Sequence, residues 1–183
     1  MKIGGLQKVS LIDYPGKISA IVFTQGCNFN CPYCHNPELV EQKLYQPCLS
    51  EKDILKFFST RQGKLDAVTI TGGEPTLQED LIPFIQKIRK MGFAIKLDSN
   101  GSHPDVLARL IQDKLLDFIA LDVKAPAEKY ERIVKSPVAI DAIRESIQIV
   151  LKAKIPHEFR TTVVASLLTT KDILAIVREI AGA

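Results

Sequence analysis

The sequence predicts an α/β fold of parallel strands linked by helices. Three observations carry that expectation. Short apolar, β-branched runs alternate along the chain with stretches of helical apolar spacing. Glycine or proline punctuates most of the junctions. The chemically unusual residues recur at one place in the repeat, directly after a strand, where parallel α/β folds gather their functional groups. Strands joined in sequence by helices require right-handed crossovers, which makes the expected sheet parallel.

The first strand is expected at Ile18–Gln25, "ISAIVFTQ", and it stops at Gly26. A helix follows in "LSEKDILKFFST", with Ser50 as N-cap and an apolar face of Ile54, Leu55, Phe57 and Phe58. The second strand is "DAVTIT" (Asp66–Thr71), ended by Gly72-Gly73. The helix "EDLIPFIQKIRKMG" has Pro83 near its first turn and Gly92 as its stop. "FAIKLDSNG" is read as the third strand and its turn, and "HPDVLARLIQDKLL" as a helix opened by Pro104. The fourth strand, "DFIALDVKAP", closes at Pro126, and a long amphipathic helix follows in "VAIDAIRESIQIVLKAKI". "HEFRTTVVAS" is the fifth strand and "TKDILAIVREIAGA" the last helix.

A length of 183 residues suits one domain, spanning 1–183, with one core. Net charge is +3, from 24 basic and 21 acidic residues, too balanced to argue for a nucleic-acid partner. No stretch approaches the roughly 20 apolar residues of a membrane span, and "MKIGGLQKVSLIDYPGK" has neither a long apolar run nor a small-residue cleavage site. The expected address is the cytoplasm, where clustered cysteines serve metals or catalysis more often than disulfides.

The stretch "GCNFNCPYCHNPE" (Gly26–Glu38) holds three of the four cysteines within eight residues. Cys31-x-x-Cys34-His35 has the form of a haem attachment site, which leaves Cys27 unexplained and belongs mostly outside the cytosol. Cys31-Pro-Tyr-Cys34 has the form of a glutaredoxin dithiol, but that chemistry needs neither a third cysteine nor "TGGEP". All three thiols together suit zinc or an iron–sulfur cluster. A closed zinc site needs a fourth ligand, and Cys48, after a 13-residue gap, is the only other cysteine. His35, adjacent to Cys34, is a poor ligand for the same ion. Three thiolates on a four-iron cluster instead leave one iron open, a catalytic arrangement. Cys48 reads as an incidental thiol.

Cys27-x-x-x-Cys31-x-Tyr33-Cys34 after one strand, with "GGEP" (Gly72–Pro75) after the next, resembles the radical S-adenosylmethionine superfamily. The resemblance covers nearly the whole chain. The opening "LQKVSLIDYPGKISAIVFTQGCNFNCPYCHNPELV" is similar to the activating proteins of anaerobic ribonucleoside-triphosphate reductase, relatives of the pyruvate formate-lyase activating enzyme. This resemblance implies an incomplete βα barrel of five to six units. It implies a [4Fe–4S] cluster on Cys27, Cys31 and Cys34, with S-adenosylmethionine on the open iron, and reductive cleavage that delivers a radical to a glycine of a partner enzyme. It also implies a flavodoxin- or ferredoxin-type electron donor, and no nucleic-acid or membrane partner.

Residue by residue, the resemblance assigns cofactor contacts to Tyr33, near the adenine, and to Gly72, Gly73 and Glu74, whose backbone receives the ammonium. His35 and Asn36 are weaker candidates in the same loop. "LDSNG" and "LDVK" are similar to paired motifs of the pyruvate formate-lyase activating enzyme. Carried over, Asp98 and Asp122 would hold a monovalent cation near the cofactor carboxylate. Lys124, Ser99 and Asn100 would contact the cofactor. Ser99 stands where threonine is expected and keeps the hydroxyl. Arg160, in the fifth strand, is a carboxylate partner by guanidinium geometry. The resemblance finally implies that a family member continues through at least one further strand beyond Ala183, so this chain is expected either to be truncated or to be a naturally short form.

Overall fold

The structure, a computed structural model, describes residues 1–181. The expected last helix runs into Gly182 and Ala183, which lie outside the described residues. The architecture is α/β, as the alternation predicts. Six strands form one sheet in sequence order: β1 (Ile3–Ser10), β2 (Ser19–Thr24), β3 (Ala67–Gly72), β4 (Ala94–Ser99), β5 (Phe118–Asp122) and β6 (His157–Arg160). β2 to β6 pair in parallel, and β1 pairs antiparallel with β2.

The helices are α1 (Glu51–Ser59), α2 (Leu81–Arg89), α3 (Pro104–Gln112), α4 (Tyr130–Val134), α5 (Ile140–Lys152) and α6 (Thr170–Ile180). Ile54 and Phe58 of α1, Phe84, Ile85 and Ile88 of α2, Leu107 and Leu110 of α3, and Ile147 and Val150 of α5 join one core with Val68, Ile70, Ile95, Leu97, Ile119 and Leu121 of the sheet. Each such side chain contributes about 1.5–3 kcal/mol on burial. Strands covered in this way read as continuous apolar runs, which is why β2 to β5 are visible in the sequence.

Three features depart from the sequence expectation. β1 was not anticipated, because "IGGLQKVS" carries two glycines and no steady alternation. A Cβ on Gly4 would sit 2.4 Å from Leu39 Cδ2, so a side chain there would push aside the end of that leucine. The five-residue α4 was also not anticipated, being too short to show a period. The fifth parallel run is shorter than expected, since strand pairing ends at Arg160 and "TTVVAS" continues as loop and turn.

The sheet curls. In a flat sheet β2 and β5 would lie about 14 Å apart at the usual strand spacing. Yet Tyr14, in the loop between β1 and β2, meets Phe118 of β5 with ring centroids 5.7 Å apart. Arg160 of β6 reaches across β5 to Asp98 of β4 at 2.9 Å. The result is an incomplete βα barrel. Its interior opens at the C-terminal ends of the parallel strands, and the β1–β2 loop folds beneath it.

Candidate active site

The cysteine loop is held from several sides. Gly26, at φ +105°, turns the chain out of β2, and its N–H donates to Leu39 O at 2.8 Å. Asn30 N donates to Val134 O at 2.9 Å, and Phe29 meets the Tyr130 ring edge-on at 6.1 Å, which together pin the loop to α4. Cys34 N donates to Cys31 O at 3.0 Å and closes a turn between the last two thiols.

The loop after β3 docks directly on this one. Glu74 N donates to Gly26 O at 2.8 Å. A Cβ on Gly73 would lie 2.0 Å from that same carbonyl oxygen, and one on Gly72 2.3 Å from Thr24 N. Gly72 also has φ +119°, a conformation glycine adopts without strain. These two glycines therefore let two backbones touch.

The Glu74 carboxylate, 1% exposed, faces the β4 loop. Its Oε1 accepts from Thr76 N at 3.0 Å, Thr76 Oγ1 at 2.6 Å and Ser99 Oγ at 2.8 Å, and its Oε2 from Asn100 N at 2.7 Å. Burial pushes its pKa up, against the pull of these four donors. Asn100 carries the link onward: its Nδ2 donates to Asn28 Oδ1 at 2.9 Å and lies 3.9 Å from Cys27 Sγ. Ser99 and Asn100, expected as cofactor contacts, thus tie three loops together in the protein itself.

All thirteen expected site residues line one cavity of about 370 Å³, with His35 and Asn36 beside them. Burial pushes the Cys27 thiol up to about 11 and raises that of Cys31. The buried Tyr33 hydroxyl has no hydrogen-bond partner among the described residues, and burial pushes it up to about 12. Cys48 is exposed, lies outside this cavity and has its Sγ 3.4 Å from Gln25 Oε1. Among the described residues no three His, Cys, Asp or Glu side chains converge to hold a single ion. Thiols that share a cavity without converging suit a multi-iron cluster, whose corners take one thiolate each, better than one zinc ion. The unpartnered Tyr33 hydroxyl and the bare glycine backbone suit an adenosyl cofactor.

Cavity-lining residues that sequence reasoning missed include Asp13, Phe23, Thr71, Thr161 and Thr162. Phe23 and Thr71 are register partners at the ends of β2 and β3, and inward alternation counted back from the strand ends would have found them. Asp13 sits in the β1–β2 loop, and nothing local announces that this loop turns inward.

The same cavity has a charged floor. Arg160 bridges two carboxylates, with Nε 2.9 Å from Asp122 Oδ1 and Nη1 2.9 Å from Asp98 Oδ2. Lys124 Nζ lies 2.8 Å from Asp122 Oδ2, and Lys96 Nζ 3.0 Å from Asp98 Oδ1. Burial works against the charge on Lys124 and Arg160, but Asp122 and Asp98 hold both well above their ordinary values. Asp122 is pulled below its usual range by Lys124 and Arg160 despite burial, whereas burial keeps Asp98 above its own. Each of the four oxygens expected to face a monovalent cation already has a side-chain cation within 3.0 Å. A metal cation does not fit this arrangement of the two aspartates.

Comparison with known proteins agrees with this geometry. The model of the radical SAM superfamily matches residues 21–180. A provisionally named glycyl-radical enzyme activating enzyme of Methanocaldococcus jannaschii is 37% identical over 97% of this chain and 75% of its own length. The pyruvate formate-lyase-activating enzyme of Listeria monocytogenes is 33% identical over 67% of this chain and 53% of its own, so the chain spans about half of that relative. The solved structure of native anSMEcpe with bound AdoMet shares the fold, with TM-score 0.66 and 15% identity over 86% of this chain and 46% of that one. The superfamily match includes every cavity-lining residue named above except Asp13, and the archaeal relative extends it over nearly the whole sequence. The chain belongs to the radical S-adenosylmethionine superfamily, within its glycyl-radical enzyme activating branch.

Proposed function

We propose that this chain generates a glycyl radical on a partner enzyme, and that the partner is an anaerobic ribonucleoside-triphosphate reductase. The superfamily's cofactors are a [4Fe–4S] cluster and S-adenosylmethionine. The observation that carries the reading is the meeting of three thiols, the Gly72-Gly73 turn and the Asp98–Asp122–Lys124–Arg160 floor in one cavity. The choice of reductase rests on the opening segment, from Leu6 in β1 through Val40, which resembles that class of activating protein.

When bound, the cofactor pair supplies an electron to the sulfonium and a carbon-centred radical that removes a hydrogen atom. The chain's residues arrange the rest. Cys27, Cys31 and Cys34 would hold the cluster through one thiolate each, with one iron left for the cofactor. The backbone at Gly72–Glu74 would receive the cofactor ammonium, and Lys124 would contact the cofactor. Tyr33 would lie against the adenine. The target is a glycine because a residue without a side chain brings its α-carbon closest to the reacting atom. A flavodoxin- or ferredoxin-type protein of the cytoplasm is the electron donor.

The test uses anaerobically loaded protein with reductant, S-adenosylmethionine and the reductase. Electron paramagnetic resonance should show a glycyl doublet on the reductase. Deuterium at the target glycine should collapse that doublet and pass into 5′-deoxyadenosine. A radical on pyruvate formate-lyase instead would move the assignment to that partner. Cleavage coupled only to a small molecule would end the activating-enzyme reading.

A further inference from the structure

We infer that Lys96 and Arg160 supply from within the chain the positive charge that an alkali cation would bring to Asp98 and Asp122, so that cofactor binding needs no added monovalent cation. This rests on reading the cavity as the S-adenosylmethionine site.

Lys96 stands two residues before Asp98 on β4, so both side chains point to the same, inner face. Its side chain is 3% exposed. Nothing in that position serves solubility, and an ammonium is buried only where carboxylates receive it. Here Asp98 Oδ1 lies at 3.0 Å and Glu158 Oε1 at 3.5 Å, with the Phe118 ring 5.6 Å away. Arg160 makes the second bridge, and its planar fork serves Asp98 and Asp122 at once. Lys96, Lys124 and Arg160 thus face Asp98, Asp122 and Glu158, three charges against three, in a connected network. One more cation would make the floor net positive in a medium that screens poorly.

Asp98 Oδ1 marks where a metal ion would have to enter. It is buried and makes no hydrogen bond of good geometry, so Lys96 holds it by charge alone. An ion bound to that oxygen would lie beside the ammonium, like charge against like. Lys96 is therefore a positioning residue: it neutralises Asp98, which lets Arg160 hold both aspartates in place under the cofactor.

The test is S-adenosylmethionine affinity, measured by equilibrium dialysis on the anaerobically cluster-loaded full chain. Potassium, sodium and tetramethylammonium chlorides are compared at equal ionic strength. The dissociation constants should agree within about twofold, and a loss of about tenfold or more in tetramethylammonium overturns the inference. Lys96→Met leaves Asp98 Oδ1 without its cation and Arg160 alone to serve both buried aspartates. Its affinity should fall about tenfold in tetramethylammonium and return in potassium or sodium. A merely structural lysine would not show alkali rescue, so a loss that alkali ions fail to restore also overturns it. Should Lys96→Met not fold, the wild-type comparison decides alone. Absence of cofactor binding to wild type in every salt would overturn the site reading itself, and the inference with it.

Discussion

Cys27→Ala, Cys31→Ala and Cys34→Ala should each abolish cluster binding, while Cys48→Ala should keep it. Iron and sulfide analysis of the four purified variants checks this. The reason is placement: the first three line the cavity, and Cys48 is exposed beside Gln25. Glu74 makes a second expectation. Glu74→Gln puts an amide NH2 where one oxygen accepts hydrogen bonds, so a buried donor faces donors. The loss should be about 1–3 kcal/mol, read from chemical denaturation of the unloaded protein. The spacing of the cysteines was legible because a ligand set leaves its mark in the local sequence. The destination of the Glu74 side chain was not, because its partners Ser99 and Asn100 lie a full βα unit away. Lys96 and Glu158 were read simply as strand residues. That they face each other depends on the register of three strands.

At the scale of elements, the two loops above β2 and β3 behave as one. Gly73→Ala would drive a methyl group into Gly26 O, and relief requires separating the loops. We expect weakened cluster retention and lost S-adenosylmethionine affinity, followed by absorbance near 400 nm and by dialysis, with helix content by circular dichroism unchanged. α6 offers a pH-dependent test. Asp172 closes a capping box with Thr169 and pairs with Lys129 at 2.7 Å. The Lys129 hydrogen bond and the Thr169 N–H lower its pKa from 3.8 to about 2. A carboxyl depressed in the folded state stabilises fully above its unfolded value, and that stability is lost as pH falls through the folded one. Asp172→Asn should therefore melt below wild type at neutral pH. The gap should narrow from about pH 4 down to about pH 2. Strands β2 to β5 and the longer helices were legible because burial on two faces leaves a short apolar run and burial on one helical stripe imposes a period. β1 was not, since Gly4 and Gly5 break any alternation of its own.

The whole molecule depends on the inward turn of the β1–β2 loop. Tyr14, 4% exposed, closes the floor against Phe118. Tyr14→Ala should cost about 3 kcal/mol or more by the cavity it leaves. It should also make the charged floor more accessible, read as faster hydrogen exchange in β4 and β5. The α/β class follows from alternation alone, whereas the barrel arrangement comes with the family resemblance. The curl of the sheet does not follow from alternation, because it is set by contacts between residues far apart. Tyr14 and Phe118 are themselves 104 positions apart (118 − 14). That interval has a temporal meaning. A chain made from its N-terminus displays β1, β2 and all three cysteines long before β5 exists. The hairpin can pair early, but its loop has nothing to rest on until Phe118 has left the ribosome. The thiols therefore emerge first and are enclosed late, so iron and sulfide reach their finished site only after most of the chain has been synthesised.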